Sequence, residues 1–279
     1  MTSHPTCGTM DAATWGVEEQ MKVFVSAGRA GAAQAAERGR VAIVVDALRA
    51  SATTASLLHY GAREIVVVEE ISDAFAEHDR RPGSWLVGER GGVAVPGFDR
   101  GNSPLQAPVP GLPETIVFSS SNMSRCCVGA SACPAAFLGT LPTLTACARV
   151  ALDAARQHGT DLHLIPAGSA LDENKLVLED YITAGALIER MRELEEGLQP
   201  AEDAAHAALT IHAAARRASY EAAFHATDNG TPLRDELGLG DDVSFAARVD
   251  VFAVVPRVTG TFALPSGRVA AVLQAATLA

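Results

Sequence analysis

This 279-residue sequence lacks the features that mark several large classes of protein. No apolar run approaches the roughly 18 residues that a membrane helix needs, so no membrane partner is expected. Positive charge is scarce: 22 Lys and Arg against 33 Asp and Glu leave a net charge of −11. A nucleic-acid binder ordinarily carries a basic face, although a cleft with local cations can still take an anionic substrate. The five cysteines, Cys7, Cys126, Cys127, Cys133 and Cys147, form no CxxC pair. An odd count without a secretory signal predicts a reducing, cytoplasmic setting. Residues 1–20 have neither the basic region nor the apolar core of a signal peptide and read as a polar extension. Dinucleotide (GxGxxG), Walker (GxxxxGK followed by Ser or Thr), nucleophile-elbow (GxSxG) and zincin (HExxH) motifs are all missing. The eight histidines show no ligand spacing, and no CxxxxxR phosphatase loop occurs.

What is present is an aliphatic chain, 48% hydrophobic and only 5% aromatic, able to bury a large core. Strand-like runs open at Met21 and recur at 41–45, 63–70, 84–89, 115–120, 135–140 and 161–168. Helical patterns lie between them, at 51–62, from a cap at Ser72, and at 144–159. That alternation predicts a three-layer α/β/α fold with a mostly parallel, mixed sheet, and a single domain over 21–279. Residues 177–199 and the alanine-rich 201–224 read as long helices. The second is core by default, and it also suits close packing against another subunit in a homodimer. Residues 249–267 read as two strands around a turn, antiparallel at one edge of the sheet.

Ligands of such sheets sit beyond the carboxyl ends of strands, and here those ends carry chemistry. Asp46 ends VAIVV, with Arg49 and Ser51 behind it. Glu89 and Arg90 end another strand and open GERGGVAVPGFDRGNSP; Ser119, Ser120, Ser121 and Asn122 end a third. One Asp or Ser after a strand is ordinarily a helix cap; a Glu-Arg pair beside a glycine-rich segment is not required by capping. An apolar strand ending in Asp also opens the haloacid dehalogenases, but their second acid falls here on Leu48. Glu179 and Asp180 stand at a helix start, where acids favour the dipole or turn inward as metal ligands.

In order along the chain, VVDALRASATT, GERGGVAVPGFDRGNSP, LEDYITAG and DVSFAARVDVFAVVPRV resemble the blocks of the 2-phosphosulfolactate phosphatase (ComB-like) family. The resemblance implies an α/β/α fold and Mg²⁺-dependent hydrolysis of a phosphate monoester on a small, highly acidic carbon skeleton. It points to Asp46, Arg49, Ser51, Glu89, Arg90, Asp99, Asn102, Ser103, Asn122, Glu179 and Asp180. Asp46, Glu89, Asp99, Glu179 and Asp180 form the pool of metal ligands, of which Mg²⁺ takes one or two. Arg49 and Arg90 suit phosphate, carboxylate or sulfonate; Ser51, Asn102, Ser103, Ser119–Ser121 and Asn122 serve the phosphoryl oxygens. The nucleophile is either water at the metal or Asp46 itself. One departure stands out: Met123 occupies a glycine position of the family's phosphate loop, which predicts a rebuilt turn or a narrowed pocket. It leaves open a sugar or nucleoside phosphate as substrate, and a non-catalytic anion-binding homologue as a further alternative.

Overall fold

The computed structural model describes residues 20–172 and 175–276. The extension over 1–20 therefore falls, Gln20 apart, outside the described residues, as does Cys7. Strands β1 (Lys22–Val25), β2 (Val41–Val45), β7 (Ala136–Gly139), β8 (Leu162–Pro166) and β9 (Gln199–Pro200) form one parallel group, in the order β7-β2-β8-β1-β9. Strands β3 (Glu64–Val67), β4 (Trp85–Arg90) and β6 (Thr115–Ser119) form a second, in the order β4-β6-β3. The short β5 (Val93–Ala94) folds back antiparallel on β4. The sheet is thus mixed and mostly parallel, as the alternation predicts.

The C-terminal hairpin departs from expectation. Its strands, β10 (Val255–Ala263) and β11 (Val269–Ala276), are antiparallel but sit at the centre of the sheet, joining β7 to β3. Exposed residues near the turn, such as Thr259 and Thr261, give these strands the polarity of an edge. The hairpin is nevertheless buried where it meets its neighbours: Val255 at its root, and Ala271 and Leu273 where β11 pairs with β3, are inaccessible. Three successive antiparallel pairings set the two parallel groups in opposite senses. A twist of roughly 20–25° per strand, accumulated over the five steps from β6 to β2, turns their carboxyl ends back toward each other.

Alternation along β2 explains the layers, because successive side chains point to opposite faces. Val41, Ile43 and Val45 pack with α5 (Leu144–His158), α6 (Leu178–Leu194) and α7 (Asp203–Ala218). Ala42 and Val44 pack on the other face with α1 (Gly28–Glu37) and α4 (Met123–Ala130). Helices α6 and α7 approach so closely that a Cβ at Gly185 would lie 2.1 Å from the Ala208 carbonyl oxygen. The alanine-rich helix is therefore largely core on its α6 face. It breaks at Ser219, which caps α8 (Tyr220–His225) through a bond from the Ala222 N–H. The helix expected from Ser72 is α3 (Ile71–Asp79); its cap position is Glu70, and Ser72 lies inside the first turn. Helices α2 (Ala50–His59), α9 (Gly230–Asp235) and α10 (Gly240–Ala246) complete the surroundings of the site. No helix of the described residues is long and apolar enough to cross a membrane.

One buried group on β8 makes stability depend on pH. His163 is inaccessible, 2.6 Å from Ser26 Oγ and 3.3 Å from an Arg40 nitrogen. Burial, helped by the Arg40 charge, lowers its pKa to about 4 from 6.5. Below pH 6.5 the unfolded chain binds a proton that the folded one refuses, so stability falls as pH drops from there toward 4. This group alone should remove about 2 kcal/mol between pH 7 and pH 5. Urea unfolding at both pH values should show that loss in the wild type and much less of it in His163→Gln. Equal losses in the two proteins would remove His163 as the cause.

Candidate active site

A cavity of ≈ 570 Å³ opens where the ends of β2, β4, β6 and β8 meet α1 and α9. It is deep enough for a small-molecule ligand. Asp46, Arg49, Glu89, Arg90, Asn102, Ser120, Ser121 and Asn122 all line it. These residues come from three separate stretches of sequence, and the turned-back strand ends bring them together.

The carboxylates are fixed by backbone N–H groups. Asp46 Oδ1 accepts from the Ala50 N–H at 3.2 Å and Oδ2 from the Met123 N–H at 3.1 Å. Ala50 and Met123 are the first residues of α2 and α4, so one side chain satisfies an orphan donor at two helix starts. Glu89 Oε1 accepts from the Ser121 N–H at 2.8 Å, and Oε2 from the Gly92 N–H at 2.8 Å. Gly88, which opens the glycine-rich segment, has φ +154°, and a Cβ there would lie 1.9 Å from Ser119 O. Only glycine lets β4 and β6 run this close beside the site. Glu89 Oε2 also accepts from Ser121 Oγ at 3.2 Å, whereas Glu89 Oε1 and both Asp46 oxygens each keep a second lone pair for a ligand.

Glu179 and Asp180 do not line the cavity; they stand behind Asp46. Asp180 accepts from the Ala47 N–H at 2.8 Å and the Gly168 N–H at 3.2 Å, and Glu179 from Asn229 Nδ2 at 2.6 Å. Burial, then repulsion from Glu89 and Glu179, pushes the Asp46 carboxyl up to about 7. Burial and the neighbouring Asp46 and Glu179 charges likewise raise Asp180 well above the carboxylate range. Burial raises Glu179 as well.

The cations are held in different ways. Arg49 donates to Asp242 Oδ2 at 2.5 Å and to Gly92 O at 2.7 Å, so much of its fork is engaged within the protein. Arg90 donates to the carbonyls of Glu89 and Glu69 and to Ser119 Oγ; none of these is a carboxylate, and its charge remains for a ligand. Ser51, Ser103 and Ser119 support rather than line the cavity. Ser51 Oγ accepts from the Asp46 N–H at 3.0 Å, and Ser103 Oγ donates to Asp242 Oδ1 at 2.6 Å. Asp99 is not brought to the site: it is exposed and its carboxylate caps the Leu86 N–H at 2.8 Å.

Met123 neither rebuilds the turn nor narrows the pocket. It begins α4 with ordinary helical backbone, is fully buried under the sheet, and does not line the cavity. The glycine of the resembling loop is dispensable because Asn122, at φ −115°, turns the chain without a left-handed residue. Burial also disposes of Cys126, Cys127 and Cys147 as nucleophiles, raising Cys126 to about 12. Sequence reasoning missed Arg29, Arg125, Asn229 and Asp242. Arg29 precedes every motif, and Asn229 and Asp242 belong to helices that only tertiary packing brings to the site.

Among the described residues no three His, Cys, Asp or Glu side chains converge as a ready metal cage. The donor set still suits a hard cation of the Mg²⁺ type, which uses one or two carboxylates and fills the rest with water and substrate oxygen. Asp46 and Glu89 offer two such carboxylates to the cavity, and the repulsion that raises Asp46 is what a cation relieves.

The 2-phosphosulpholactate phosphatase family model matches residues 29–261. Proteins named "Probable 2-phosphosulfolactate phosphatase" match at similar length. That of Thermus thermophilus is 33% identical, covering 79% of this chain and 88% of the relative. That of Carboxydothermus hydrogenoformans is 32% identical over 78% and 85%, and that of Caldanaerobacter subterraneus 29% over 77% and 86%. With the family's blocks meeting around one cavity and its model covering most of the sequence, the chain belongs to the 2-phosphosulfolactate phosphatase family.

Proposed function

We propose that the chain hydrolyses the phosphate monoester of a small acidic metabolite of the 2-phosphosulfolactate kind, with Mg²⁺, releasing inorganic phosphate. The observation that carries this reading is the pairing within one cavity of two backbone-fixed carboxylates, Asp46 and Glu89, with cations that no carboxylate neutralises. Uncatalysed monoester hydrolysis is slow enough that accelerations approach ~10²¹, so positioning and charge stabilisation must act together.

Asp46 and Glu89 are the residues that would hold Mg²⁺. When bound, the ion neutralises phosphoryl oxygens and orients the ester. Arg90 supplies a fixed positive charge to the phosphoryl group, and Ser120, Ser121 and Asn122 present polar groups from the loop after β6. The two hydrogen bonds to Asp46 hold its carboxylate at one angle, so no reorganisation accompanies charge development. Ser51, acting through the Asp46 backbone, keeps the strand end in place.

The test is phosphate release from 2-phosphosulfolactate beside a panel of sugar, nucleoside and simple alkyl phosphates, with Mg²⁺ and with a chelator. Release should favour the acidic substrate by at least about tenfold in kcat/KM and stop on chelation. Preference for a sugar or nucleoside phosphate would overturn the substrate class, and chelator-resistant activity would overturn the metal.

A further inference from the structure

Four arginines line the cavity, and three are engaged within the protein. Arg49 is held by Asp242, Arg29 by Glu69 Oε2 at 2.5 Å, and Arg90 by two carbonyls and a hydroxyl. Arg125, on α4, is the exception: among the described residues it makes no hydrogen bond or ion pair, and its Nε is buried without a partner. A buried donor left unmade is expensive, and an arginine fork matches planar or tripodal anions better than any other side chain. Arg125 follows the Ser121–Asn122 loop on α4, which packs against the α1 helix of Arg29, and both arginines line the cavity. The phosphate end is already furnished by Asp46, Glu89 and Arg90.

We infer that Arg125 is a specificity-determining residue that binds a second acid group of the substrate, a carboxylate or sulfonate, away from the phosphoryl group. The inference rests on the phosphatase reading above and adds to it the requirement for a polyacidic substrate. It explains how an acidic protein admits a highly acidic ligand: a cation of the pocket with no carboxylate partner is reserved for the second acid group.

The experiment compares wild type, Arg125→Met and Arg125→Lys on three esters: 2-phosphosulfolactate, phospholactate and isopropyl phosphate. These carry two, one and no acid groups besides the phosphate. Arg125→Met should raise KM for 2-phosphosulfolactate roughly 10- to 100-fold, with kcat changed less than about threefold and isopropyl phosphate unaffected. Arg125→Lys should fall between. Loss on phospholactate too assigns the carboxylate; loss confined to 2-phosphosulfolactate assigns the sulfonate. Equal change on all three esters, or none, overturns the inference. The Met variant removes an unpartnered buried group, so its thermal melt should stay cooperative; a Met variant that unfolds leaves the Lys variant to decide by the same pattern. A wild type inert on all three esters would sink the phosphatase reading instead. Calorimetric titration with 3-sulfolactate then decides the subsite: binding weakened at least about tenfold by Arg125→Met supports it, and equal or absent binding overturns it.

Discussion

Asp46→Asn should lower kcat by about 10²–10³ while leaving the fold almost as stable as before. The two effects separate because the side chain has two kinds of work. As a structural group it accepts one N–H from each of two helix starts. Asparagine has only one acceptor oxygen, so one of those bonds is lost, worth about 1 kcal/mol. Against this, the substitution removes a desolvated charge repelled by Glu89 and Glu179. The net change in stability should lie within about 1 kcal/mol, read as a small shift in the denaturation midpoint. As a chemical group, asparagine can neither hold a hard cation as a carboxylate does nor attack phosphorus, and removing a single charge-stabilising group typically costs about 10²–10³ in rate. Phosphate release at saturating substrate checks the claim. Undiminished turnover in the variant would reduce Asp46 to a shared helix cap.

The second large effect should come from Asp242→Ala, which removes a residue outside the cavity. Asp242 is buried on α10 and ties Arg49 and Ser103 together across nearly two hundred residues of sequence. Truncating it leaves the Arg49 guanidinium, itself buried, with only the Gly92 carbonyl as partner. Breaking a buried pair on one side costs about 3–5 kcal/mol, because the surviving charge stays desolvated. The loosened Arg49 should also release the glycine loop that positions Glu89, lowering activity alongside stability. Replacing both partners, Arg49→Met with Asp242→Leu, should return most of the stability and none of the activity. Equilibrium unfolding of the three variants measures this. A single-mutant loss below about 1 kcal/mol would show that the pair contributes little.

Much of the scaffold was legible because local physics dominates it. VAIVV is a fully buried strand, Gly159 stops α5 in a left-handed cap, and GER ends β4. The carboxylates at strand ends were legible for the same reason. What local sequence did not carry was placement across the sheet. The hairpin's polar tip imitates an edge strand, although its roots lie at the centre. Asp99 sits in a motif yet is turned outward to its own strand neighbour Leu86. Arg125 sits in a helix with no motif that marks a site, and Asp242 opens the DVSF block, whose sequence does not show that it reaches back to Arg49. Met123 shows the converse: a bulky residue at a glycine position is harmless once a helix begins there, a fact decided by the Asn122 turn rather than by residue size.

The central hairpin ties function to the order of synthesis. Residues 255–276 leave the ribosome after every other strand, yet they alone join β7 to β3. Until they arrive, both groups of parallel strands present an open edge, the kind of surface that invites pairing with another chain. Asp46 stands on one group and Glu89 on the other, so neither half can assemble the cavity alone. A nascent or clipped chain is therefore silent rather than partly active, and hydrolysis begins only when the last strands have closed the seam.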